Sequence, residues 1–466
     1  MSSLRIVVAL ALCSLLVAAV SVGQAAGDLA PLWQGSLEAG GARLRLVLHL
    51  ARLPSGALTA SLDSPDQAAT GLPVDEVVVE GQTLRLTMRR LGARFEGAFD
   101  AARTSVSGTW SQGGVSLPLT LRASRTQPPP PERPQEPKPP FPYDQLEVEV
   151  ANAAAAVTLA GTLTVPRGQG PWPAVVLLSG SGSQDRDETV FGHRPFLVLA
   201  DHLTRHGVAV LRLDDRGVGG SKGGSAAATT EDFAGDALAA VAFLRGRAGI
   251  DGKRVGLLGH SEGGLVAVMA AARSADVAFA VLLATPALPG EQVLHLQNEK
   301  LLRASGGGDT AVEAARAING RVYRIVREEK NTAAASAAIT KVLAEKAGIT
   351  GDAAAAQVAM VLSPWFRYFL VHDPRPELAR LRVPVLALWG EKDLQVPAEE
   401  NLAALRGAVP AARAGEVTTR VFPGLNHLFQ PCRTGLPAEY GTIERTMAPE
   451  VLTAVSEWLA RIGRRS

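Results

Sequence analysis

Residues 254–264 read RVGLLGHSEGG. Val255 to Leu258 form a short apolar run, and from Gly263 the chain continues as GGLVAVMAAARS, a good helical composition. Ser261 therefore falls on a corner between a strand and a helix, within the pattern G-x-S-x-G. Such a corner strains the backbone, needs small flanking residues, and lifts the serine hydroxyl out at the helix N-terminus. The pentapeptide alone is a weak signal, because 47 of 466 residues are glycine. A second match, GGSKG at 219–223, lies in DDRGVGGSKGGS several residues after a strand ending near Asp214 and is not followed at once by a helix. Ser221 reads as a loop serine, and Ser261 as the candidate nucleophile.

A serine hydroxyl is a poor nucleophile at neutral pH and needs a base that is itself oriented by an acid. In doubly wound hydrolases the chain order is serine, acid, histidine. Of eight histidines, only His427, in FPGLNHLF, follows every plausible late-strand acid. The acid reads as Asp393 in LALWGEKDLQVP, directly after an apolar strand, with Glu391 as its competitor. Two backbone N–H groups must face the developing oxyanion. One is that of Glu262, the residue after the nucleophile. The other is expected from Ser181 or Gly182 in LLSGSGSQDRDE, where small residues let the backbone approach a substrate. The charges of Asp185, Arg186 and Asp187 are expected to brace this loop through ion pairs. His260 is expected to pack behind the nucleophile. Trp365, Phe366, Tyr368 and Phe369 read either as helical core or as lining for an acyl pocket.

Around these residues the texture is α/β. LEVEV and VTLAGTLTVP read as an antiparallel opening pair. PAVVLLSGSG, VAVLRLDDRG, RVGLLGHSEGG, AFAVLLATP, VPVLALWGEKD and TTRVFPGLNH then alternate with helical patterns. Continuous apolar strands imply a sheet covered on both faces, and intervening helices imply parallel order. Residues 143–466 are thus expected to form a doubly wound domain, with helices inserted at about 289–375 as a lid. Residues 28–126 carry short alternating segments (ARLRLVLHL, ALTASLD, VDEVVVE, TLRLTMRR, ARFEGAFD, VSGTW) and read as an all-β accessory domain with His49 a lone histidine. Between them TQPPPPERPQEPKPPFP, spanning 126–142, reads as a semi-rigid proline-rich linker over 127–142.

Residues 1–26 have a positive start at Arg5, an apolar stretch from Ile6 to Val22 and a small-residue exit, the pattern of a secretory signal, so a secreted or periplasmic location without a membrane span after cleavage is expected. Cys13 and Cys432 are too few for a disulfide framework. With 47 Lys and Arg against 45 Asp and Glu, and no basic run, nothing suits nucleic acid. No metal-ligand spacing or phosphate-cradling G-x-x-x-x-G-K-[ST] occurs, so neither a metal nor a cofactor is implied.

Together SGSGSQDRDE, DDRGVGGS, GHSEGG, SPWFRYFL, GEKDLQVP and NHLF make residues from about 143 to 463 resemble the α/β-hydrolase superfamily, and within it the bacterial secreted esterases related to serine aminopeptidases and prolyl-oligopeptidase-like enzymes. The resemblance covers about two-thirds of the chain. It implies a serine hydrolase using Ser261, Asp393 and His427, and the N-terminal segment is similar to accessory modules that precede such hydrolases. Because that superfamily spans esterases, thioesterases and peptidases, three functions follow as expectations. The first is hydrolysis of small carboxylic esters. The second is peptide cleavage, with Glu262 and the acids of 185–188 holding an amino terminus. The third is a binding protein that has lost catalysis.

Overall fold

The computed structural model describes residues 29–462 apart from 40–41, 54, 68, 113–114 and 128–130; the signal-like segment lies outside the described residues. The chain divides into two compact units. Of the described residues, one joins those from 29 to 132 with 307–361 and 437–442; the other comprises 133–306, 362–436 and 443–462.

The first unit is built on an antiparallel sheet of nine strands: β1 (Leu32–Ala39), β2 (Ala42–Arg52), β3 (Leu58–Ser64), β4 (Ala69–Val74), β5 (Glu76–Glu80), β6 (Thr83–Met88), β7 (Ala93–Phe99), β8 (Ser105–Gln112) and β9 (Val115–Ser124). Their spatial order is β4-β3-β2-β1-β9-β8-β7-β6-β5. Strict alternation shows in β7, where Ala93, Phe95, Gly97 and Phe99 are buried and the residues between them exposed. Trp33 and Phe99 meet edge to face at 5.6 Å in this core. Three strands have no counterpart in the six segments read from sequence: β1, β4 and β9. Two of these carry proline. Pro73 is tolerated because β4 lies at the sheet edge, and Pro118 because β9 pairs with β1 only at residues 122–124. His49 is not alone: its Nε2 lies 2.7 Å from Asp63 Oδ2, on the neighbouring strand.

The second unit has eight strands: β10 (Tyr143–Asn152), β11 (Val157–Pro166), β12 (Trp172–Leu178), β13 (Ala209–Leu213), β14 (Ile250–His260), β15 (Ala280–Leu283), β16 (Val385–Gly390) and β17 (Val417–Phe422). The order is β10-β11-β13-β12-β14-β15-β16-β17. β10 and β11 are antiparallel to each other, β11 is antiparallel to β13, and the rest are parallel. Helices cover both faces, so successive residues of one strand enter different cores. Ala174 and Val176 of β12 pack on one side, Val175 and Leu177 on the other. This explains why these strands read as unbroken apolar runs. The chain moves outward from β12 to β13 and then returns across it to β14, so loops diverge at the carboxyl end of β12 and β14. That is where a doubly wound sheet opens a crevice. From Arg133 onward the proline-rich stretch lies against this unit. The Arg133 guanidinium donates to the carbonyls of Phe191, Gly192 and Ile443, and Gln135 Oε1 accepts from Thr446 N. Among the described residues no single helix is long and apolar enough to cross a membrane.

Candidate active site

Ser261 stands between β14 and the helix Glu262–Arg273 with φ 54° and ψ −120°, a left-handed backbone uncommon for a residue with a side chain. The neighbouring glycines make that turn possible. A Cβ on Gly263 would collide with the carbonyl of Leu178, one on Gly264 with Thr285, and one on Gly259 with the carbonyl of Gly263. The nucleophile corner therefore sits hard against the ends of β12 and β15. Ser261 is partly exposed while its flanking residues are buried.

His427 lies in the loop after β17 and Asp393 in the loop after β16. Asp393 Oδ2 is 2.8 Å from His427 Nδ1, and both side chains are almost wholly buried. The other carboxylate oxygen of Asp393 accepts the backbone N–H groups of Gln395 and Val396. Glu391 turns elsewhere and accepts from Gly424 N at 2.8 Å. The carbonyl of His427 is 3.0 Å from Nε2 of His260, the residue before Ser261. The two imidazoles approach to 4.8 Å between ring centres. Three loops thus bring Ser261, His427 and Asp393 to the carboxyl edge of the same sheet. Ser221 is engaged in structure: its hydroxyl donates to the carbonyl of Asp214 and accepts from Ala160 N, both at 2.8 Å.

The loop after β12 is heavily braced. The Arg186 guanidinium forms two bonds to Asp214 (3.1 and 2.8 Å) and one to Glu147 (2.6 Å), its backbone N–H adds a third to Asp214 (2.9 Å), and Arg212 pairs with Asp187. Asp185 caps the N–H groups of Asp187 and Thr189. Asp215 accepts from Ser179 Oγ and Gln184 N. Burial pushes the Asp215 carboxyl up to about 7, while those two donors act in the opposite direction. Gly180 N donates to Glu188 at 2.6 Å, so its N–H is already committed. The N–H groups of Ser181 and Glu262 meet no acceptor among the described residues, and Gly182 adopts φ 105°.

Glu262 has a second role that the sequence did not reveal. Its buried carboxylate accepts from Thr230 Oγ1 at 2.6 Å and from Trp365 Nε1 at 2.7 and 2.9 Å. Burial raises its pKa above the ordinary glutamate range against the pull of these donors. Trp365 stacks on Phe369 at 5.6 Å, and Phe366 is buried. The aromatic cluster therefore combines packing with one specific hydrogen bond to the residue beside the nucleophile. Only a polar indole at that position could have signalled it.

A strained serine at a strand–helix corner, with a carboxylate–imidazole pair on the following loops of a doubly wound sheet, defines an α/β-hydrolase. The family of serine aminopeptidase S33 proteins matches residues 194–430, just over half of the chain and all three of these residues, and the chain belongs to that family. Esterase EstD of Thermotoga maritima is 29% identical over 305 residues, which is 64% of this chain; the chain spans 64% of that relative's length. Among solved structures, a hypothetical protein from Pseudomonas aeruginosa is 14% identical, with TM-score 0.43, covering 69% of this chain and 94% of its own. A Pyrococcus furiosus esterase is 17% identical, with TM-score 0.40, covering 68% and 91%.

Proposed function

We propose that the protein is a serine hydrolase of small carboxylic esters acting through an acyl-enzyme on Ser261. The observation that carries this reading is the buried Asp393–His427 hydrogen bond on the loops that flank Ser261. With Nδ1–H held by Asp393, Nε2 of His427 is left as the acceptor that a serine base requires. His427 takes the Ser261 proton as Oγ attacks the ester carbonyl. The tetrahedral oxyanion is met by the N–H groups of Glu262 and of Ser181 or Gly182. His427 then protonates the departing alcohol, and water, deprotonated by the same imidazole, releases the acid and restores Ser261. The similarity to an esterase from Thermotoga maritima supports the ester over other acyl substrates.

Peptide cleavage would require a carboxylate open to a substrate ammonium. Both oxygens of Glu262 are already bonded, by Thr230 and Trp365. Asp185, Asp187 and Glu188 are engaged by the loop itself, by Arg212, and by Gly180 and His260. That internal use of these acids favours the ester. The N-terminal sequence pattern supports a secreted or periplasmic location.

Purified protein and Ser261→Ala should be compared on p-nitrophenyl esters and aminoacyl anilides. Ester cleavage abolished by the substitution, with anilides untouched, is the expected result. Anilide cleavage of equal efficiency would make the protein a peptidase, and ester turnover surviving in Ser261→Ala would remove the nucleophile assignment.

A further inference from the structure

A second carboxylate–imidazole pair lies directly behind the first. His260 Nδ1 is 2.9 Å from Glu188 Oε1, and its Nε2 is 3.0 Å from the carbonyl oxygen of His427. Both side chains are buried, 8% and 4% exposed, too little for water to replace these bonds. The same Glu188 oxygen accepts the N–H of Gly180 at 2.6 Å. Glu188 itself holds a left-handed backbone at φ 52°, uncommon for a residue with a side chain. Gly180 is confined there: a Cβ on it would stand 3.2 Å from Glu188 Oε1, 3.3 Å from Ser261 Cβ and 3.6 Å from His260 Nδ1.

The chemistry of the pair fixes its direction. A backbone carbonyl only accepts, so Nε2 of His260 must carry the hydrogen. Glu188 faces Nδ1, and whether the proton between them sits on Nδ1 or on the carboxyl, Nε2 of His260 keeps its hydrogen and donates. Burial works against the His260 imidazolium, but the Glu188 carboxylate, the His427 carbonyl and the Asp393 charge together outweigh it, and the pKa stands above the ordinary value.

We propose that Glu188 and His260 form a clamp that positions the main chain of His427, joining the oxyanion loop, the nucleophile corner and the loop of the base through one buried pair. This rests on the reading of Ser261 and His427 as nucleophile and base. His260 is a positioning residue: it touches neither substrate nor reacting atom, and it transfers no proton. Its bond to the His427 carbonyl sets where the imidazole ring stands when Asp393 orients it. The three loops are joined at Gly180, His260 and His427, so displacement of any one reaches the others.

The test uses the full chain, an ester substrate and four variants, with folding monitored by circular dichroism. His260→Leu removes the donor to His427, and misplacing a reacting group by about 1 Å typically costs about 10²-fold in rate. The expected result is a fall of that order in kcat at unchanged KM, with broadening of the low-field proton resonance of His427 Nδ1–H. Glu188→Leu should also lower kcat. Glu188→Gln should lower it too, because the amide oxygen held by the Gly180 N–H is the one that faces Nδ1, which draws the hydrogen of neutral His260 to Nδ1 and leaves Nε2 with none to donate to the His427 carbonyl. A folded His260→Leu with wild-type kcat and an unchanged resonance would overturn the clamp. If leucine at 260 prevents folding, the Glu188 pair decides: wild-type rates in both variants overturn it, and loss in both with the His427 resonance broadened supports it. Ser261→Ala separates the two levels. Activity surviving there defeats the site assignment and the clamp's purpose with it, whereas an inactive Ser261→Ala beside a fully active His260→Leu defeats the clamp alone.

Discussion

Asp393 meets His427 Nδ1 with one oxygen at 2.8 Å, while its other oxygen accepts the N–H groups of both Gln395 and Val396 at 2.8 Å. That division of labour determines what Asp393→Asn would do. The two backbone donors would keep the amide oxygen where Oδ1 now lies, so the amide nitrogen would face Nδ1. Donor against donor forces the hydrogen onto Nε2, and the imidazole can no longer take a proton from Ser261. The expected loss is about 10⁴-fold in kcat, the scale at which a wrong tautomer acts in a serine triad. The fold should be unaffected. Steady-state kinetics on a p-nitrophenyl ester with a parallel thermal melt checks this, and a kcat within tenfold of wild type would contradict it.

Trp365 supplies the indole N–H that lies 2.7 and 2.9 Å from the two oxygens of Glu262. Trp365→Phe keeps most of the ring packing against Phe369 but leaves the buried carboxylate with fewer donors. A buried acceptor deprived of its partner costs about 1–3 kcal/mol. Urea denaturation should show a loss of that size, and it should largely vanish in Glu262→Leu, where no carboxylate remains to be satisfied. Equal destabilisation by Trp365→Phe in both backgrounds would mean that packing, and not the hydrogen bond, makes the contact matter.

Much of this architecture can be read from local sequence, and the exceptions share a cause. The parallel strands announce themselves because both faces are buried, whereas Asp393 and Glu391 both follow the strand closely and are told apart only by the His427 contact of the first and the Gly424 contact of the second. The corner at Ser261 follows from a strand and a helix meeting with only small residues between them. Glu188 and His260 are different. They pair across 72 residues, and His260 reaches His427 across 167, so no periodicity links them. The His49–Asp63 contact eludes a local reading because it depends on the pairing register of β2 and β3. Strands β4 and β9 were hidden by prolines whose acceptability depends on which neighbours pair at that point. The helical insertion read as one block at 289–375, yet residues 307–361 group with the N-terminal sheet. Chain order carries no information about which core a helix will join.

His202 gives the protein a built-in sensitivity to acid. Its ring lies in the helix Pro195–Arg205, with Nε2 3.0 Å from Ser456 Oγ and the His206 ring 4.2 Å away. Burial first, and then the charge His206 can carry, lowers its pKa to about 4. An unfolded histidine titrates at about 6.5, so between these values the unfolded chain binds more protons than the native one. Stability from this group is complete above the unfolded value and is lost as pH falls through the window toward about 4. His202→Gln retains a donor for Ser456 but does not titrate. Urea unfolding of both proteins at about pH 7.5 and about pH 5 should therefore show a smaller drop in stability for the variant. Identical drops would mean that His202 is protonated as readily in the native protein as in the unfolded chain.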